Sequence, residues 1–108
     1  NLFVYHAMNA NQLKEVYAGL KHRHGPRTLL LFRIGDRFEA YFDDATVISG
    51  VLGLPLTYPV QGQGIPVPTV TFPCCDQRKC TDPLLDAGHG VCIVQAMDSD
   101  GNYNTVPL

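Results

Sequence analysis

The stretch FRIGDRFEAYFDD, residues 32–44, joins the end of an apolar run to a Gly-Asp turn, an Arg-Phe-Glu triplet and a double aspartate. Read backwards from it, Thr28 to Ile34 (TLLLFRI) is nearly continuous apolar sequence bounded by Pro26 and Gly35. Such a run reads as a strand buried on both faces, hence central in a sheet. Gly35-Asp36 marks a tight reversal or bulge, and RFEAYF then alternates as a second strand. In that alternation Arg37 and Glu39 share one face while Phe38 points to the other. Either Asp43 or Asp44 is predicted to cap a following helix with a buried stripe of Ala45, Ile48, Val51 and Leu52. Gly53 fits its C-cap, and Pro55 follows at the expected distance.

Outside this segment the same two periodicities recur. Leu13, Val16, Tyr17 and Leu20 have helical spacing within residues 10–24, and Gly25-Pro26 ends that helix. PVQGQGIPVP, 59–68, carries too many Gly and Pro for a paired strand, and TVTF, 69–72, is a short one. Residues 76–87 look helical except for Pro83, which belongs in a first turn, so Thr81 or Asp82 is predicted to cap a helix beginning at Pro83. Gly88 or Gly90 closes that helix, VCIVQAM is a further buried strand, and the Asp-Gly of DSDGNY signals a hairpin into YNTV. Interleaved helices and strands with at least one hairpin predict an α/β fold of the α+β type, a mixed sheet covered by helices.

With 108 residues the chain is expected to form one domain. A domain of this size buries roughly two-thirds of its unfolded surface, so it needs neither metal nor disulfide to fold. No apolar run approaches the twenty or so residues of a membrane span, and nothing resembles a signal peptide. The first residue is Asn1 rather than Met, so the chain is expected to be cut from a longer polypeptide. The net charge of -2 argues against a strongly basic nucleic-acid protein, yet six of the eight Lys and Arg residues fall within the first 37 positions. That asymmetry either makes one basic face or is a solvated helix face. Cys74, Cys75, Cys80 and Cys92 lack paired zinc-ligand spacing and are expected to be free thiols of a cytoplasmic protein, Cys92 as a small core residue.

Several chemistry-bearing groupings have ordinary explanations. Asp36, Glu39, Asp43 and Asp44 cluster as metal-binding nuclease carboxylates do, but Asp36 is explained as a turn residue and Asp43 or Asp44 as a helix cap. His22 and His24 stand at i and i+2, which face apart on a helix, and basic residues suit a last turn. Nothing orients Cys75 and His89 as nucleophile and base. No G-x-x-x-x-G-K-[ST] occurs in the chain, and GQG is followed by no lysine, so no phosphate cradle is expected.

Taken in order, TLLLFRIGDRFEAYFDDA, GLPLT, IPVPTVTFP and LLDAGHGVCIVQ resemble the N-terminal mismatch-recognition domain of the MutS family over roughly residues 10–97. The most specific piece is the Arg-x-Gly-Asp block followed by Glu39 and the double aspartate. The resemblance implies a mixed sheet of about six strands flanked by helices. It also implies a non-enzymatic domain that binds mismatched or distorted double-stranded DNA within a larger polypeptide, whose ATPase lies elsewhere. No cofactor, membrane or small-molecule substrate is implied. In that family a Phe-Tyr-Glu triplet follows Gly-Asp: the Phe wedges beside a mispaired base from the minor groove, and the Glu hydrogen-bonds it.

Here the wedge position is Arg37, the tyrosine position is Phe38, and the Glu is Glu39. The spacing from Asp36 to Glu39 matches the family's, so no register slip promotes Phe38 to wedge. The expected DNA contacts are therefore Arg37 and Glu39 at the minor groove, Arg33 and Lys21 nearer phosphates, and Phe38 as support. Alternatively Arg37 and Glu39 pair with each other and read nothing, which would suit a repurposed interaction module of a larger helicase- or methyltransferase-like protein.

Overall fold

The computed structural model describes residues 9–59, 65–97 and 102–108. Helix α1 (Ala10–His24) opens on a reciprocal cap, in which Asn9 Oδ1 accepts from the Gln12 amide and Gln12 Oε1 accepts from the Asn9 amide. It ends at Gly25, with φ 97°, after four basic residues in its last turn. Strand β1 (Thr28–Ile34), strand β2 (Arg37–Tyr41), helix α2 (Phe42–Leu52) and strand β3 (Thr69–Pro73) follow. A 3-10 turn (Cys74–Asp76), helix α3 (Gln77–Asp86), β4 (Gly90–Met97) and β5 (Tyr103–Pro107) complete the fold.

The five strands form one mixed sheet in the order β3-β2-β1-β4-β5. β1 runs parallel to β4, and the other neighbours are antiparallel. β1 is central, as its apolar run requires, because its side chains feed two cores. Leu29 and Leu31 join Phe38, Phe72, Val91, Ile48 of α2 and Leu84 of α3 on one face. Leu30, Phe32 and Ile34 join Tyr41, Cys92, Val94 and Leu13 and Leu20 of α1 on the other. Each such side chain contributes roughly 1.5–3 kcal/mol by burial, so only a strand covered on both faces keeps this sequence. Where the resemblance implies about six strands, the described residues hold five and an isolated antiparallel bridge, Thr57–Thr69, at the GLPLT position. The DSDGNY turn residues 98–101 and loop residues 60–64 lie outside the described residues.

Three local expectations are corrected. α2 begins at Phe42, its N-cap Tyr41 makes no side-chain cap, and Asp43 and Asp44 lie inside the first turn. The backbone turns sharply there: Phe42 has φ 58°, its amide donates to Pro68 O at 2.9 Å, and its ring packs on Tyr17. A phenylalanine with positive φ is strained, and these contacts hold it. Second, Val51 is 41% exposed, so the buried face of α2 is carried by Ala45 and Ile48. Third, α3 runs through Pro83, and neither Thr81 nor Asp82 caps it. Burial of Cys80, Thr81 and Leu84 outweighs the lost hydrogen bond, and Lys79, whose carbonyl Pro83 cannot serve, is on the exposed side. Gly53 does close α2 in the left-handed conformation, its amide donating to Ser49 O.

All four cysteines are free thiols. Cys80 and Cys92 are buried, and burial pushes both thiols up from their ordinary range, while Cys75 is exposed. A thiol reagent should therefore modify Cys75 within the mixing phase, and Cys80 and Cys92 only as fast as the domain opens. Mass spectrometry of time points measures this; simultaneous labelling of all three would contradict the packing. Among the described residues no helix is long and apolar enough to cross a membrane.

Candidate functional site

The β1–β2 hairpin is closed by Gly35, with φ 63°, and Asp36, whose carbonyl accepts from the Cys74 amide at 2.8 Å. That bond ties the turn to the end of β3, so β2 leaves it in a fixed register: Arg37 opposite Ile34, Phe38 opposite Arg33, Glu39 opposite Phe32. On the other side Arg37 lies opposite Pro73 and Glu39 opposite Thr71.

Alternation along β2 then separates the triplet. Phe38 is buried, its ring centroid 5.5 Å from that of Phe72. Arg37 and Glu39 emerge together on the opposite face. Arg37 Nε donates to Glu39 Oε2 at 2.8 Å, and Nη2 lies 2.8 Å from the same oxygen. The Arg37 side chain is 42% exposed and that of Glu39 only 14%. Tyr41, two positions further on the same face, donates its hydroxyl to Glu39 Oε1 at 2.8 Å. Both carboxylate oxygens of Glu39 are thus engaged within the strand. At this exposure the ion pair contributes about 0–1 kcal/mol, so its effect is on geometry more than on stability.

Arg33 is exposed on the Phe38 face, near the end of β1, and its Nε donates to Gly35 O at 3.3 Å. Lys21 stands elsewhere. Its ammonium donates to Thr28 O at the start of β1, which puts it about 20 Å from the hairpin at strand rise. It also donates to Pro26 O at 2.9 Å and to Asp44 Oδ1 at 2.8 Å, and its side chain is 15% exposed. Of the residues the sequence singles out, the fold gathers Arg37, Glu39 and the supporting Phe38 at one hairpin. Arg33 lies beside them on the reverse face, and Lys21 is not brought there.

Asp44 explains the position of Lys21. The carboxylate, 4% exposed, accepts the Leu30 amide at Oδ2 (3.0 Å) as well as the ammonium at Oδ1. Burial pushes its carboxyl above the usual carboxylate range, against the pull of Lys21 and the Leu30 amide. Tyr17 beside it is likewise raised, first by its burial and then by the Asp44 charge. Among the described residues no three His, Cys, Asp or Glu side chains converge as a metal-binding group.

The residue that sequence reasoning missed is Tyr41. The signal was available: positions 37, 39 and 41 share a strand face, and a phenol beside a carboxylate is a ready donor.

Comparison with known proteins follows the same residues. The family model described as MutS domain I matches residues 11–106. A DNA mismatch repair protein MutS of Salinibacter ruber is 43% identical over 95 residues, covering 87% of this chain and 10% of the relative. Proteins of the same name from Erythrobacter litoralis (33% identical over 96 residues, 86% and 11% covered) and Prochlorococcus marinus (38% over 92 residues, 82% and 10%) also match. The chain spans about a tenth of the length of these curated relatives.

Proposed function

This chain belongs to the MutS domain I family, and we propose that it is a DNA-binding module for mismatched or otherwise deformable duplex, with a guanidinium in place of the aromatic wedge. Its partners on this reading are double-stranded DNA and the remaining domains of a longer mismatch-repair polypeptide, to which any ATP hydrolysis belongs. The observation that carries the reading is the half-exposed Arg37 at the tip of the β1–β2 hairpin, in the family's wedge position, with the only ring of the triplet turned into the core. A narrow minor groove concentrates negative potential and attracts a guanidinium. An apolar wedge unstacks a base step and a guanidinium does not, so discrimination rests on how easily the duplex deforms around the hairpin. Arg33 adds a second exposed cation at the same end of the sheet.

The arrangement of Glu39 favours a second reading, an interaction module that does not read mismatches, because Arg37 and Tyr41 already occupy both of its oxygens. Fluorescence anisotropy with homoduplex, G·T mismatch, bulged and single-stranded oligonucleotides at two salt concentrations separates the two. The DNA reading expects salt-dependent binding that is tightest for the bulged or mismatched duplex. Binding to none of the probes leaves the interaction module. Arg37→Phe restores a wedge and should raise mismatch over homoduplex preference roughly tenfold, the scale of one base-step effect. No change in that ratio would count against the lost-wedge reading.

A further inference from the structure

The proposed contact group is held in place before any partner arrives. Arg37, Glu39 and Tyr41 occupy successive positions on one face of β2 and form a chain: Tyr41 hydroxyl to Glu39 Oε1 at 2.8 Å, then Arg37 Nε to Glu39 Oε2 at 2.8 Å. Tyr41 anchors the chain in the core, being buried with its ring centroid 5.1 Å from that of Phe32. We infer that Tyr41 is the positioning residue of this interface: it fixes Glu39 as a brace for Arg37, so that the carboxylate orients the guanidinium and does not itself meet the bases. The inference rests on the reading of Arg37 as the DNA-contacting group.

Three physical points support it. A carboxylate taking one charge-assisted bond at each oxygen must give up both to turn towards a base. Nε and Nη2 lie inside the brace, which leaves Nη1 with its two N–H donors available to hydrogen-bond acceptors on DNA. Finally, a long side chain ordered in the free state loses less freedom on binding, so the brace favours association without touching the partner.

The test begins on the 108-residue chain without DNA. Nitrogen-15 NMR follows exchange of the Arg37 Nε proton with water, in the parent, in Tyr41→Phe, and in Glu39→Gln as a second variant that breaks the brace at its middle. Exchange should be slow in the parent and several-fold faster in both variants, with spectral dispersion showing that each remains folded. Equal rates in the parent and Tyr41→Phe overturn the inference whatever the DNA result. The second arm is anisotropy on the bulged duplex. Tyr41→Phe should weaken binding roughly three- to tenfold, as loss of one charge-assisted bond predicts, and should have no effect in an Arg37→Ala background. Equal weakening in both backgrounds, or none in either, overturns the positioning role. A parent chain that binds no duplex overturns the DNA reading instead, and the exchange rates still decide whether Tyr41 holds the brace.

Discussion

Replacing Asp44 with alanine should cost this domain about 3–5 kcal/mol, the usual penalty for removing one partner of a buried ion pair. The pair is well inside the protein, with side-chain exposures of 15% for Lys21 and 4% for Asp44. Losing the carboxylate leaves the ammonium with the carbonyls of Pro26 and Thr28 and the face of the Tyr17 ring, and no counter-charge among these partners. It also strips the acceptor from the Leu30 amide, which lies beyond the end of the β1–β2 register at Phe32 opposite Glu39. Against a total stability of roughly 5–15 kcal/mol, the variant would be close to unfolding at 37 °C. Urea denaturation followed by circular dichroism measures the loss, and a midpoint unchanged from the parent would refute the account. Removing both charges, Lys21→Met with Asp44→Leu, should recover part of it. The remainder, about 1–3 kcal/mol, belongs to the Leu30 amide that still lacks its acceptor.

Phe38→Ala should be comparably severe, about 3–5 kcal/mol, as for other buried Phe truncations. The ring is buried against that of Phe72, in a core shared with Leu31 and Val70 that cannot fully collapse into the vacated space. For a domain of this size the melting temperature should fall by on the order of 20 °C. The functional corollary is sharper than the magnitude. Molecules of this variant that remain folded at low temperature should keep the parent's order of preference among DNA probes, because the ring supports the hairpin from behind. Loss of that preference without loss of stability would mean that Phe38 meets the DNA directly, contrary to the packing.

Much of this architecture was legible before any coordinates. TLLLFRI announces a central strand because its apolar run, closed in by a proline and a glycine, has the length of a strand and is too short for a buried helix. The helix at 10–24 and the close of α2 at Gly53 were legible for equally local reasons: side-chain spacing, and a residue able to take positive φ. The opposed orientation of Arg37 and Phe38 followed from alternation alone, and the fold agrees with it.

What failed was of one kind. The double aspartate satisfies the local rule for a helix cap, yet Asp44 turns back to a lysine and a strand amide distant in sequence, and the helix starts earlier across a strained Phe42. Pro83 obeys the local rule for a helix start, yet packing of Cys80 and Leu84 carries α3 through it. Lys21 is expected nearer phosphates from the sequence, and the fold turns its partly buried ammonium to Asp44.

Sequence by itself determined the order of the elements, the two-sided burial of β1, and the face on which residues 37 and 39 emerge, because each depends on backbone period and on neighbours within one turn or one strand. Only the tertiary structure decided which charges are spent internally. Lys21 with Asp44, and Glu39 with Arg37 and Tyr41, find their partners through desolvation and hydrogen-bond geometry. A carboxylate taken out of water must bond to whatever donors the fold places within reach.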